Sequence, residues 1–226
     1  MTPAPGLRII QHHAAEGPGE FIHWAEDRGL RFDVFRADHG ALPPVDGGPL
    51  ILLGGPYSVP DALDGRGPTW LRAELEWISR CLQHASPVFA VCLGAQILAA
   101  ALGARVHRLP RPELGWTRVR FPGSGSPIEL DMLQWHDDAF ELPPRAASLA
   151  SSDAWPHQMF EVGRQCVGMQ FHPEWNAMSV HELHAGFGVD CPLPRASGEA
   201  DRARFADSRN WLWQRLDQWM AATAPG

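Results

Sequence analysis

Apolar residues recur along the chain in runs whose period changes in a regular way. Leu7-Arg-Ile-Ile-Gln11 is a short apolar run bounded by His12-His13 and a Gly/Pro-rich stretch, the pattern of a buried strand. Phe21 to Arg28 spaces its apolar residues like a helix closed by Gly29, and Arg31 to Phe35 alternates like a second strand. A Pro/Gly-rich connection covers Ala41 to Pro49. Leu50-Ile-Leu-Leu53 is then wholly apolar, as in a strand covered on both faces, and runs into Gly54-Gly-Pro56. Helical spacing returns from Thr69 to Gln83 through Trp70, Leu71, Leu75, Ile78 and Leu82. The apolar run Pro87 to Val91 passes directly into helix formers from Leu93 to Leu102, with Cys92 at the corner.

This alternation predicts an α/β fold, a mostly parallel sheet flanked by helices, whose sites lie at the strands' carboxyl ends. Past Gly103 the pattern shortens. Arg105–Arg108, Trp116–Phe121, Ser148–Ser151, Gln158–Val162 and Cys166–Phe171 read as strands joined by tight turns. They predict a small antiparallel meander added to the α/β half. Val180–Phe187 and Arg202–Ala222 read as helices, the latter packing Trp211, Trp213 and Trp219 on the sheet. With no repeat and no linker, residues 1–226 read as a single domain.

Composition narrows the function classes. A formal charge of −7 without a basic stripe argues against nucleic acid as a partner. No apolar run is long enough to span a bilayer, and Met-Thr-Pro-Ala-Pro lacks a signal peptide's apolar core, so no membrane partner and a cytoplasmic location are expected. The four cysteines form no C-x-x-C pair, and in a reducing compartment they are expected as free thiols. All 19 Lys+Arg residues are arginine. Chemistry that needs an amine side chain, such as a Schiff base or a P-loop lysine, is thereby excluded.

Candidate chemistry centres on Cys92. A cysteine between a buried strand and a helix is held at the helix's positive end, where the thiolate is favoured and backbone amides lie close. Cysteine catalysis also needs a base and a group that orients it. His172 stands where an apolar strand stops, and Glu174, two residues on across Pro173, can reach back to the imidazole. The remaining histidines, including His181 and His184 on one predicted helix, lack a third ligand, so no metal and no cofactor are expected.

Taken together, the elbow Ala90-Val-Cys-Leu-Gly-Ala-Gln96, the corner Gly54-Gly-Pro56 and His172-Pro-Glu174 resemble the class I, triad-type glutamine amidotransferases, whose domain is flavodoxin-like. The resemblance implies that Cys92 attacks the side-chain amide of glutamine, that His172 is the general base and acid, and that Glu174 orients it. It also implies an oxyanion hole from the N–H groups of Gly55 and Leu93, beside Gly54, with Gln96 touching the substrate. The family usually has glycine where this chain has Ala90, a methyl that removes no catalytic atom. Glu113-Leu-Gly-Trp116 with Trp135-His-Asp137 is similar to the stand-alone, GMP-synthase-like members, which makes Trp135, His136 and Asp137 further substrate-binding candidates. The substrate implied is glutamine or another γ-glutamyl compound.

Two enzyme readings share this half-reaction: an amidotransferase that passes ammonia to a synthetase partner in trans, and a free-standing γ-glutamyl hydrolase. A catalytically silent regulatory relative is the non-enzyme alternative. Other cysteine and hydrolase scaffolds fit less well. An N-terminal-nucleophile enzyme needs a terminal cysteine, and an α/β-hydrolase places its acid before its histidine. The chain carries no signal for oligomeric state.

Overall fold

The computed structural model describes residues 6–123, 127–196 and 198–223, so the reading of the amino-terminal Met1–Pro5 lies outside the described residues. Strands form at all four predicted places, as Leu7–Gln11 (β1), Phe32–Arg36 (β2, one residue later than read), Leu50–Leu52 (β3) and Val88–Val91 (β4). With Ala147–Ala150 (β7), Met159–Val162 (β8) and Cys166–Met169 (β9) they make a seven-stranded sheet in the order β2-β1-β3-β4-β9-β8-β7. The first five strands in this order run parallel, while β8 pairs antiparallel with β9 and β7 antiparallel with β8.

The apolar runs are explained by coverage of both sheet faces. Side chains alternate across a strand, so Ile10, Leu50, Leu52, Val88 and Ala90 face one cluster. Leu71, Ile78, Ile97 and Leu98 complete it, from Thr69–Gln83 (α3) and Leu93–Ala101 (α4). Ile9, Ile51, Leu53, Phe89 and Val91 face the other cluster, closed by Phe21 and Trp24 of Glu20–Asp27 (α1) and Leu212, Leu216 and Trp219 of Gly198–Thr223 (α6). Each such large side chain contributes about 1.5–3 kcal/mol on burial. Trp219 meets the edge of Phe89, as expected for a tryptophan stripe laid on the sheet. Ala90 is fully buried in the first cluster, where its methyl packs without opening a gap.

The antiparallel portion is divided in a way the strand pattern did not indicate. Val106–Phe121 (β5) is one strand, paired with Ile128–Phe140 (β6) in a separate two-stranded sheet. The stretch Leu109-Pro-Arg-Pro112 hid this continuity because prolines cannot donate to a ladder, and a register shift between Arg108 and Glu113 absorbs them. Strands β7 to β9 instead extend the main sheet. Two further helices are Val59–Leu63 (α2), capped by the Ser58 hydroxyl, and Ala177–Phe187 (α5), capped by Asn176. The cap places the start of α5 three residues before the predicted Val180.

Candidate active site

Adjacent parallel strands deliver the candidate residues to one end of the sheet. β3 releases the Gly54-Gly55 corner, its neighbour β4 ends at Cys92, and β9 on the far side of β4 leads to His172. Cys92 has φ 47° and ψ −115°, a region that costs about 1–3 kcal/mol for a residue with a side chain and recurs at functional corners. Its N–H is tied to the Met169 carbonyl at 2.8 Å, which locks the corner to β9. Gly94 lets α4 descend onto β3, because a methyl there would lie 2.5 Å from the Leu52 carbonyl oxygen.

His172 and Glu174 form the tightest pair of the site. Glu174 Oε1 lies 2.7 Å from His172 Nδ1, both side chains are about 1% exposed, and the imidazole stacks flat on Trp175 with ring centres 3.5 Å apart. The backbone N–H of His172 donates to the Leu133 carbonyl at 2.9 Å, pinning it to β6. Its other ring nitrogen, Nε2, is buried without a hydrogen-bond partner among the described residues. One point beside Gly54, where a Cβ would sit, is 2.7 Å from His172 Cε1, 2.7 Å from Glu16 Oε2 and 3.5 Å from Cys92 Cβ. The imidazole edge, the thiol-bearing carbon and a carboxylate therefore converge on the glycine corner.

A cavity of about 390 Å³ opens in front of Cys92. Gly55, Gln96, Trp135, His136 and Asp137 all line it, whereas Gly54, Leu93, His172 and Glu174 are not among the lining residues. Gln96 braces the wall, its Nε2 donating to the Asp138 carbonyl at 2.9 Å. Asp137 is exposed at the rim, and the buried carboxylate beside it is Asp138, which accepts from the Ser58 hydroxyl at 2.6 Å. His136 Nδ1 meets the Asp138 carbonyl at 3.0 Å, and its Nε2 lies 3.1 Å from Glu113 Oε2 in an ion-pair contact off the hydrogen-bonding direction. Burial pushes Glu113 up, but contacts from His136, Ser152 and Gln158 outweigh it and hold the carboxyl below its ordinary range. Among the described residues no group of three or more His, Cys, Asp or Glu side chains is arranged to hold a metal ion.

The thiol does not behave as a cysteine at a helix start would by itself. Burial pushes Cys92 well above its ordinary value, and the charges of Glu16, Glu174 and Asp138 add to the shift, while the Leu93 N–H pulls against it. The resting thiol is protonated, and ionisation has to wait for a base. Glu16, which the sequence pattern did not single out, is itself pushed up to about 8 by burial, with Glu174 adding to the shift and His12 opposing it.

The sign of the Glu16 effect follows from linkage. Its folded pKa lies above the unfolded value, so the native state holds a proton that the unfolded chain releases. The associated stability is complete below the ordinary value of 4.5 and is lost as pH rises through about 8. Urea unfolding is expected to show wild type losing a few kcal/mol between about pH 5 and about pH 9. Glu16→Gln should lack that share of the loss. Parallel declines in the two proteins would contradict the assignment.

The doubly wound sheet with a cysteine elbow at its carboxyl edge defines a class of α/β proteins, and comparison with known proteins gives the family. A model of the class-I glutamine amidotransferase family matches residues 21–184, and the chain belongs to that family. It is 29% identical over 226 residues to a glutamine amidotransferase-like protein of Salmonella typhimurium, covering 94% of this chain and 92% of that one. It is 33% identical over 150 residues to the glutamine-hydrolysing GMP synthase of Vibrio cholerae, covering 63% of this chain but only 26% of that longer protein. Among solved structures, a glutamine amidotransferase of Methylobacillus flagellatus superposes with a TM-score of 0.81 at 27% identity, covering 99% of this chain and 97% of that one. A Thermotoga maritima glutamine amidotransferase superposes at 0.77 with 24% identity over 97% of this chain and 98% of that one, a likeness of fold.

Proposed function

We propose that this chain hydrolyses the γ-carboxamide of glutamine through a thioester on Cys92 and releases ammonia for use by a synthetase in trans. The observation that carries this reading is the His172 imidazole. Glu174 holds Nδ1, and Nε2 is left unpartnered at the edge of the strand beside the Cys92 elbow. As Sγ attacks the amide carbon, Nε2 takes the thiol proton, and the Glu174 carboxylate stabilises the imidazolium that forms. The N–H groups of Gly55 and Leu93, for neither of which a backbone–backbone loop hydrogen bond is seen among the described residues, would receive the oxyanion. When the tetrahedral intermediate collapses, the C–N bond breaks and His172 protonates the departing nitrogen to give ammonia. Water then attacks the thioester with His172 again taking a proton, the C–S bond breaks, and glutamate leaves as the thiol is restored. Gln96, Trp135 and His136 would line the glutamyl moiety, with Asp137 at the rim.

A second reading has its own support. The cavity falls within the range of pockets that take drug-sized ligands, and its lining mixes Asp61, Asp137 and Asp138 with Arg66 and Arg108. Such a mouth has room for the leaving group of a γ-glutamyl amine or peptide, cleaved by the same steps. We place either activity in the cytoplasm within a single domain, in keeping with four free, buried cysteines and the lack of any membrane-crossing helix among the described residues. The test is release of ammonia and glutamate by the purified chain, alongside a panel of γ-glutamyl amines. Glutamine turnover is expected to exceed that of the panel. Faster cleavage of γ-glutamyl amines would move the assignment to the second reading, and no turnover of either class would contradict both.

A further inference from the structure

A buried ion pair lies directly beneath the glycine corner, and the thiol chemistry described above makes no use of it. His12 follows β1, the strand next to β3, and Glu74 reaches it from α3; both are completely buried. His12 Nε2 lies 2.9 Å from Glu74 Oε1, and His12 Nδ1 lies 3.0 Å from the Gly54 carbonyl oxygen. The corner rests on this imidazole, since a Cβ on Gly55 would come within 2.9 Å of His12 Cβ. Trp70 stacks over the ring from the side.

As a device for stability the pair is poorly chosen. Withdrawing two such groups from water costs several kcal/mol each, and apolar residues of similar volume commonly serve as well or better. Glu74 Oε2 is moreover buried with no hydrogen-bond partner among the described residues. The pair's position has a stereochemical consequence instead. Among the described residues every peptide bond is trans, and in a trans peptide the C=O and N–H point in opposite directions. The Gly54 carbonyl and the Gly55 N–H belong to one such unit. An Nδ1–H that draws the carbonyl down onto His12 therefore turns the Gly55 N–H up, toward the cavity that Gly55 and Cys92 share.

We propose that His12, held by Glu74, is the positioning residue of the oxyanion hole: it sets the 54–55 peptide so that the Gly55 N–H faces the reacting carbonyl. This inference rests on the amidotransferase reading. Both His12 ring nitrogens face oxygen acceptors, so the second proton lies along the line to Glu74. Burial alone would lower the pKa of His12, but the charge and hydrogen bond of Glu74 together raise it. A cationic donor on the carbonyl also polarises the peptide and makes its N–H the stronger donor. Glu74 thus favours the protonated donor without touching the substrate.

The test is a pair of variants of similar size, His12→Asn and His12→Gln, both in the Glu74→Gln background so that no buried carboxylate is orphaned. The asparagine amide nitrogen lies where Nδ1 was and can still hold the Gly54 carbonyl. The glutamine amide nitrogen lies where Nε2 was and cannot. Glutamine hydrolysis is expected to keep kcat within about tenfold in the Asn variant and to lose about 10²–10³-fold in the Gln variant, the effect of one oxyanion donor. KM should change little in either. Alkylation of Cys92 by chloroacetamide, a displacement at saturated carbon that builds no oxyanion, should proceed alike in both. Equal kcat in the two variants, or a loss that falls on KM, would overturn the proposal. Failure of the wild-type chain to release ammonia from glutamine or any γ-glutamyl amide would instead overturn the reading beneath it.

Discussion

Cys92→Ala should reduce glutamine hydrolysis by about 10⁴-fold or more while leaving the fold in place. The side chain removed is small and faces the cavity, so little packing is lost. If thiol, imidazole and carboxylate act as one unit, as proposed, His172→Ala should cost nearly as much, and the double variant no more than the worse single one. Independent, additive losses would mean that the two residues do not share a step. Steady-state ammonia release, with thermal unfolding as the control for folding, reads both. The raised pKa of the thiol sharpens the expectation. Without His172 the buried, protonated Cys92 loses the imidazole that takes its proton, so residual activity should rise toward alkaline pH.

The second large effect is expected at a residue that touches no substrate. A methyl on Gly94 would lie 2.5 Å from the carbonyl oxygen and 2.6 Å from Cβ of Leu52, and the obstructing atoms include backbone that cannot rotate away. Gly94→Ala must therefore lift α4 from β3. Overpacking of this kind costs about 3 kcal/mol, which lowers the melting temperature of a chain this size by about 6–12 °C. Since Cys92 caps α4, the same movement displaces Sγ from the glycine corner, and a displacement of about 1 Å is enough to cost roughly 10²-fold in rate. Calorimetry and ammonia release on one preparation check the two together. An unchanged melting temperature would show that α4 does not bear on β3 as described.

The parts of this molecule that could be read in advance are those where the signal is contiguous. Leu50 to Leu53 and Val88 to Val91 announce central strands because both faces of each are covered, and no polar residue interrupts them. Cys92 and the His172–Glu174 pair stand at the ends of such runs, so their placement followed from the strands. The ribbon was concealed for the opposite reason. Pro110 and Pro112 break the apparent continuity of β5, and His136-Asp-Asp138 gives the end of β6 the look of a loop.

The residues that set the electrostatics of the site have no local signature. His12 and Glu74 are 62 positions apart and meet only because α3 packs beside β1 and β3. Glu16 sits in a Gly/Pro-rich loop where a carboxylate would ordinarily be solvated, and only the folded chain turns it in against Gly54. Burial above all, with Glu16 and Glu174 adding to it, reverses the ionisation expected for a thiol at a helix start. Local geometry favoured the thiolate, and the tertiary surroundings favour the thiol.

The central claim is that Cys92 accepts the γ-glutamyl group, and an active-site label tests it most directly. The chain would be treated with a glutamine-like diazo-ketone and the modified peptide identified by mass spectrometry. One adduct on Cys92 is expected, slowed by added glutamine and absent in Cys92→Ala. Labelling that persists in that variant, or that falls on Cys81, Cys166 or Cys191, would contradict the account.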